Sequence, residues 1–116
     1  MVYVLFEVTL KDGKQDAYLA HATSLKQALA QQVGFIRSER FESLATPGKL
    51  LSLSVWENEN AIQQWRNQID HRACQSAGRE NIFRDYRITV LSPETRMYGM
   101  DSRTNAPQDS ETYFAQ

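Results

Sequence analysis

His71 is the side chain in this sequence best suited to moving a proton. It stands six positions after Trp65, in a stretch that also holds Trp56 and the only cysteine, Cys74. An imidazole that titrates near neutrality, set beside an indole wall, can hydrogen-bond or deprotonate a flat, acidic molecule. At a helix start the positive end of the helix favours the neutral ring, the form that acts as a base. The plainer reading is a surface or half-buried histidine that helps to start a helix. Phe6, Trp56, Trp65, Phe83 and Tyr86 are the aromatics from which a ligand slot would be built, and equally those from which a core is filled.

Other reactive groups offer less. Cys74 follows His71 by three residues, but no third ligand is near, and one Cys-His pair does not make a zinc site. A buried small hydrophobe is the better reading of that thiol. Gly34, Gly48 and Gly78 are isolated, so there is no phosphate-cradling loop. Glu7 is expected to pair with an arginine, Arg87 or Arg40, at the rim of a sheet. His21 borders a helix stripe and is expected to face solvent.

The elements that must position these groups follow from periodicity. Residues 2–10 alternate, with Val2, Val4, Phe6, Val8 and Leu10 on one face and Tyr3, Leu5, Glu7 and Thr9 on the other, which predicts a strand. Tyr18, Ala22, Leu25, Leu29 and Val33 form one helical stripe from Gln15 to about Gln32, with Gly34 just past its end. Phe35–Ser43 reads as an edge strand with Phe35, Arg37, Glu39 and Phe41 on one face. Leu50–Trp56 reads as the next strand, joined to it through Pro47-Gly48 as an antiparallel hairpin.

Asn58 caps a second helix that carries Ile62, Trp65 and Ile69 inward. Asp70 is a second candidate cap, which predicts a break near Gln68 to Asp70 and a short helix from His71 to Ala77. Phe83–Leu91 is the last strand. Residues 1–92 then form one domain. Residues 93–116 form an aperiodic extension, in which Met97, Tyr98, Met100, Tyr113 and Phe114 are candidates for docking.

The order β-α-β-β-α-β predicts an α+β, ferredoxin-like sandwich: a four-stranded antiparallel sheet with both helices on one face. The other face is expected to carry Tyr3, Leu5, Leu50, Trp56 and Leu91. So apolar a surface predicts a homodimer that buries it.

With 116 residues there is room for one core. A net charge of −1 from 13 basic and 14 acidic residues leaves no basic face for nucleic acid. No apolar run approaches the roughly 18 residues of a membrane span, and the alternating N-terminal stretch does not read as a signal peptide. With a single cysteine, a cytoplasmic location is expected.

Val55-Trp56, Ala61, Trp65, His71-Arg72, Gln75, Gly78-Arg79 and Tyr86, placed on this order of elements, resemble the antibiotic biosynthesis monooxygenase-like family. The extension, with Tyr98-Gly99-Met100, Arg103, Ala106-Pro107 and Asp109-Ser110, resembles that of a subgroup of the family. The resemblance implies a dimeric α/β barrel and a pocket between sheet and helices. In that pocket Trp65 and His71 would act on a small aromatic or quinone-like substrate lined by Phe6, Trp56, Phe83, Tyr86 and Gln75.

Some family members oxidise such substrates with oxygen and neither metal nor organic cofactor. Others bind and degrade haem through an asparagine, a tryptophan and an iron-binding histidine. Here Trp65 matches that tryptophan and Glu7 is nearest to the asparagine. Gln75 stands where the iron ligand should be, with His71 about one turn early. A carboxamide is a poor axial ligand, so the expectation is no cofactor, with haem disfavoured. A non-catalytic small-molecule-binding or stress-associated protein is the third expectation.

Overall fold

The computed structural model describes residues 1–75, 82–92 and 97–108, with the side chains of 69–75 left aside. The elements run β1 (Val2–Leu10), α1 (Gln15–Ala30), β2 (Phe35–Glu42), β3 (Lys49–Trp56), α2 (Glu59–Gln75) and β4 (Phe83–Leu91). The strands form one antiparallel sheet in the order β2-β3-β1-β4, so β1 and β3 are central and β2 and β4 are edges. This is the α+β ferredoxin-like fold that the pattern predicts.

Local chemistry accounts for the joints. Asn58 Oδ1 accepts the backbone N–H of Ala61 at 2.9 Å, the side-chain cap expected at the start of α2. Ser43 Oγ accepts the N–H groups of Ala45 and Thr46 and shapes the β2–β3 loop. Gly34 has a φ of +87° in the turn after α1. That turn begins at Gln31, earlier than the stripe predicts, and Val33 is 80% exposed instead of packed.

The helices press on the middle of the sheet through two clusters. Tyr18 joins Val8, Leu10 and Leu50, with Leu19 and Phe6 against them. Ala61 and Trp65 of α2 join Trp56, with Val4, Leu25, Ala28, Leu29 and Phe35 around them. Burying an aromatic of this kind is worth about 2–3 kcal/mol, so these clusters fix how the helices sit.

Three expectations change. Val2 pairs with Trp56 and Val8 with Leu50, so Trp56 and Leu50 share the helix side with the even-numbered residues of β1. The open side instead carries Leu51, Leu53 and Val55 with Tyr3, Leu5 and Leu91. Both faces of β3 hold apolar residues, so alternation divides them but cannot say which set meets the helices. In β2 the register shifts between Phe35 and Arg37. This bulge turns Phe35 to the helix side, where its ring meets Trp56 edge-on at 5.4 Å, away from Arg37, Glu39 and Phe41.

The third change is in α2, which runs unbroken from Glu59 to Gln75. Asp70 in a helix interior costs only a few tenths of a kcal/mol against better helix formers, and no Gly or Pro falls between Glu59 and Gln75 to force an interruption. Gly78, the expected terminator, lies outside the described residues, as do Tyr113 and Phe114.

Candidate functional site

Among the described residues, the helix side of β4 is apolar and left uncovered. Across the sheet Val4 pairs with Val90, Phe6 with Ile88 and Val8 with Tyr86. The β1 members lie at or beside the helix clusters, yet Tyr86 is 58% exposed, Ile88 56% and Val90 45%. Monomeric proteins seldom leave such a strip open beside a helix layer without a use for it. One end is closed by aromatics: Phe6 lies 5.9 Å from both Phe83 and Tyr86, and Phe83 lies 6.0 Å from Tyr18. The edge-to-face and tilted angles are those aromatic rings prefer, and they leave an irregular floor on which a flat molecule can lie.

The two tryptophans sit differently. Trp56 is 2% exposed, with its indole N–H donated to Ser54 Oγ at 2.9 Å. Trp65 packs on it with 6.4 Å between ring centroids. Together with Phe35 they make a closed stack. Of the predicted site residues, Phe6, Phe83 and Tyr86 therefore come together around the open strip, while Trp56 and Trp65 come together in the core.

His71 and Gln75 lie in the part of α2 whose side chains are outside the described residues. The backbone still bears on them. On an uninterrupted helix, six residues place the positions of Trp65 and His71 about 120° apart around the axis. The unbroken α2 keeps His71 about one helical turn before Gln75.

Glu7 belongs to the opposite face. Its carboxylate accepts from Arg87 Nε at 2.9 Å and from a second guanidinium nitrogen at 3.3 Å, with Lys49 Nζ 3.5 Å away. The Arg87 hydrogen bond holds the carboxyl below its ordinary range. This is the Arg87 pairing that the sequence predicts. It takes Glu7 away from the helix-side strip, and His21 faces solvent as expected.

The extension touches that opposite face as well. Tyr3 Oη lies 3.2 Å from Met97 Sδ, and Arg103 covers the Tyr98 ring at 5.6 Å. Met97 therefore touches β1 while remaining 48% exposed, and Met100 is 94% exposed. Sequence reasoning missed the openness of β4: its alternation predicts which side chains share a face, but not that the helices leave that face bare.

A four-stranded antiparallel sheet layered on one face by two helices, with apolar residues of edge strand β4 exposed, defines an α+β, ferredoxin-like protein. The family profile for antibiotic biosynthesis monooxygenase matches residues 1–77, and the chain belongs to that family. A jasmonate monooxygenase from Pyricularia oryzae is 39% identical over 90 residues, 78% of this chain. The match spans only 42% of that longer relative.

Among solved structures, a protein from Deinococcus radiodurans described as a putative antibiotic biosynthesis monooxygenase superposes with a TM-score of 0.72. It is 19% identical, over 86% of this chain and 99% of that one. SnoaB from Streptomyces nogalater, a cofactor-independent oxygenase, superposes with a TM-score of 0.63 at 14% identity, over 83% and 95% of the two chains. At these identities the two structures establish the fold.

Proposed function

We propose that this protein is a cofactor-independent monooxygenase whose small aromatic or quinone-like substrate lies on the helix side of β4. The observation that carries the reading is the exposed strip of Tyr86, Ile88 and Val90 with Phe6 and Phe83 at its end. Membership of a monooxygenase family and the likeness to a jasmonate monooxygenase support the reaction class. Trp65, backed by Trp56, acts as a rigid wall that fixes α2 over the sheet.

His71 is the proton acceptor in this reading. A pocket shared by Trp65 and His71 on one helix face would need a break near Asp70, and α2 runs unbroken there, so the role of His71 rests on the family resemblance alone. The chemistry asks little more of the protein. A phenol or anthrone that loses its proton becomes electron-rich enough to pass an electron to dioxygen. The radical pair recombines to a peroxide anion, which takes the proton back from the base to give a hydroperoxide, and loss of water then leaves one oxygen on carbon. Positioning and stabilisation of the anion are the protein's contribution.

The unit of function is a homodimer. Tyr3, Leu5, Leu51, Leu53 and Leu91 share the face away from the helices and are not fully buried there, and a second sheet packed on it would bury them. Light scattering coupled to size exclusion is expected to give twice the chain mass, and Leu53→Lys to halve it. A clean monomer for the unmodified chain at every concentration overturns the dimer.

For the reaction, His71→Ala is expected to cut turnover of an accepted hydroquinone or anthrone at least tenfold, about 1.4 kcal/mol, with an unchanged circular dichroism spectrum. Equal turnover in the two proteins removes the proton-transfer role. Failure of the unmodified protein to consume oxygen with any phenol, anthrone or hydroquinone overturns the reading as a whole.

A further inference from the structure

A second cavity lies on the other flank of α1, away from the β4 strip. It encloses about 270 Å³ between α1 and the β2–β3 hairpin and is lined by Ala22, Thr23, Lys26, Ser38, Arg40 and Ser52 among others. Its floor is unusual for the underside of a helix. Ser52 pairs with Phe6 on β1 and with Arg40 on β2, and Ser38 pairs with Ser54. The helix side of the sheet thus changes from apolar at β1 to hydroxyl at β3 and cationic at β2.

Ser54 Oγ is taken by the Trp56 indole and Thr23 Oγ1 by the Leu19 carbonyl. Among the described residues, the hydroxyls of Ser38 and Ser52 have no hydrogen-bond partner, and neither Lys26 nor Arg40 has an acidic one. Glu39 also borders the cavity, but it pairs with Leu53 and so alternates to the opposite face of β2. The Arg40 guanidinium lies 5.7 Å from the centroid of the Tyr18 ring, a residue only 7% exposed. Stacking on a buried ring orients the guanidinium while leaving its edge N–H groups free to donate.

We propose that this groove is an oxyanion-binding site for the carboxylate or phosphate end of a small metabolite. Arg40 would supply a planar, bidentate donor pair, Lys26 a point charge from the opposite wall, and Ser38 and Ser52 hydroxyl donors from the floor. The bare site has two positive charges, and an anion in it satisfies both cations and both hydroxyls. It is separate from the β4 strip, so it stands or falls independently of the oxygenase reading.

The test is a titration of the full chain, followed by two-dimensional amide NMR, with sodium propionate and with inorganic phosphate. Acetamide, which is neutral and of similar shape, serves as the control. Saturable shifts confined to Thr23, Lys26, Ser38, Arg40 and Ser52 are expected with at least one anion and not with acetamide. Saturation with phosphate alone assigns a phosphate group, and saturation with propionate alone a carboxylate. Lys26→Gln, a surface change that leaves the Arg40–Tyr18 stack in place, is expected to weaken binding at least threefold, and Arg40→Gln at least tenfold. Linear, unsaturable shifts with both anions, or equal affinity in both variants, overturn the proposal.

Discussion

Two aromatic groups share the helix side of one sheet and differ in almost everything except composition. Trp56, Trp65 and Phe35 are closed under Ala61 and the far end of α1, with the Trp56 indole N–H satisfied internally. Phe6, Phe83 and Tyr86 lie on the β1–β4 side, where Tyr86 keeps more than half its surface in solvent. Aromatic content marks both equally. The difference is which strand a helix covers, and it separates a closed aromatic cluster from one that runs from the core at Phe6 out to solvent at Tyr86.

Alanine at Trp56 and at Tyr86 is the sharpest way to break that contrast. Trp56→Ala empties a closed site and is expected to cost about 3–5 kcal/mol, read as a lower urea midpoint. Tyr86→Ala removes a ring that is already wet and is expected to change stability by less than about 1 kcal/mol while raising KM for any aromatic substrate. Comparable losses of stability would mean that the two groups are one core.

A smaller effect is expected at Gly34, which lies against the closed group. A Cβ there would meet Ala61 Cβ at 2.5 Å, and the φ of +87° strains any side chain. Gly34→Ala is therefore expected to cost about 1–3 kcal/mol and to perturb Trp65 fluorescence before any signal from Tyr86. The reverse order would show the strip to be coupled to the core through α2.

The sequence carries most of the fold and only part of the site, for reasons visible at single positions. Clean alternation in β1 and β4 predicts both strands, and Asn58 predicts its cap. Leu50-Leu51-Ser52-Leu53-Ser54-Val55-Trp56 carries apolar residues on both faces, so only pairing with β1 shows which set meets the helices. Ile36 hides a bulge, because an added residue leaves no mark in composition. Asp70 has the chemistry of a cap, but a helix with its inner face anchored by Ala61 and Trp65 runs straight through it. The exposed strip on β4 depends on what packs over it, and no residue of β4 encodes that.

The gentlest test concerns what holds β4 in place if helices do not. Its backbone ladder to β1 is one tie, and the Arg87–Glu7 pair on the opposite face is a second, joining the edge strand to a central one. In the single chain the pair is solvent-exposed, so there its contribution is modest and sensitive to salt. Its pH dependence has a definite sign. The Arg87 hydrogen bond lowers the Glu7 pKa below 4.5, so the folded state binds this proton less readily than the unfolded chain. The stabilisation is fully present above about pH 4.5, the ordinary value, and is lost as pH falls through the lowered folded value. Glu7→Gln removes that dependence. The urea midpoint of the unmodified protein is expected to fall from pH 5 downwards more steeply than that of the variant. At neutral pH the variant should show faster amide exchange in residues 86–90 and unchanged exchange in residues 53–56 of β3. Parallel acid limbs, or equal loosening of both strands, would show that the open strip is held by the same packing as the tryptophan core.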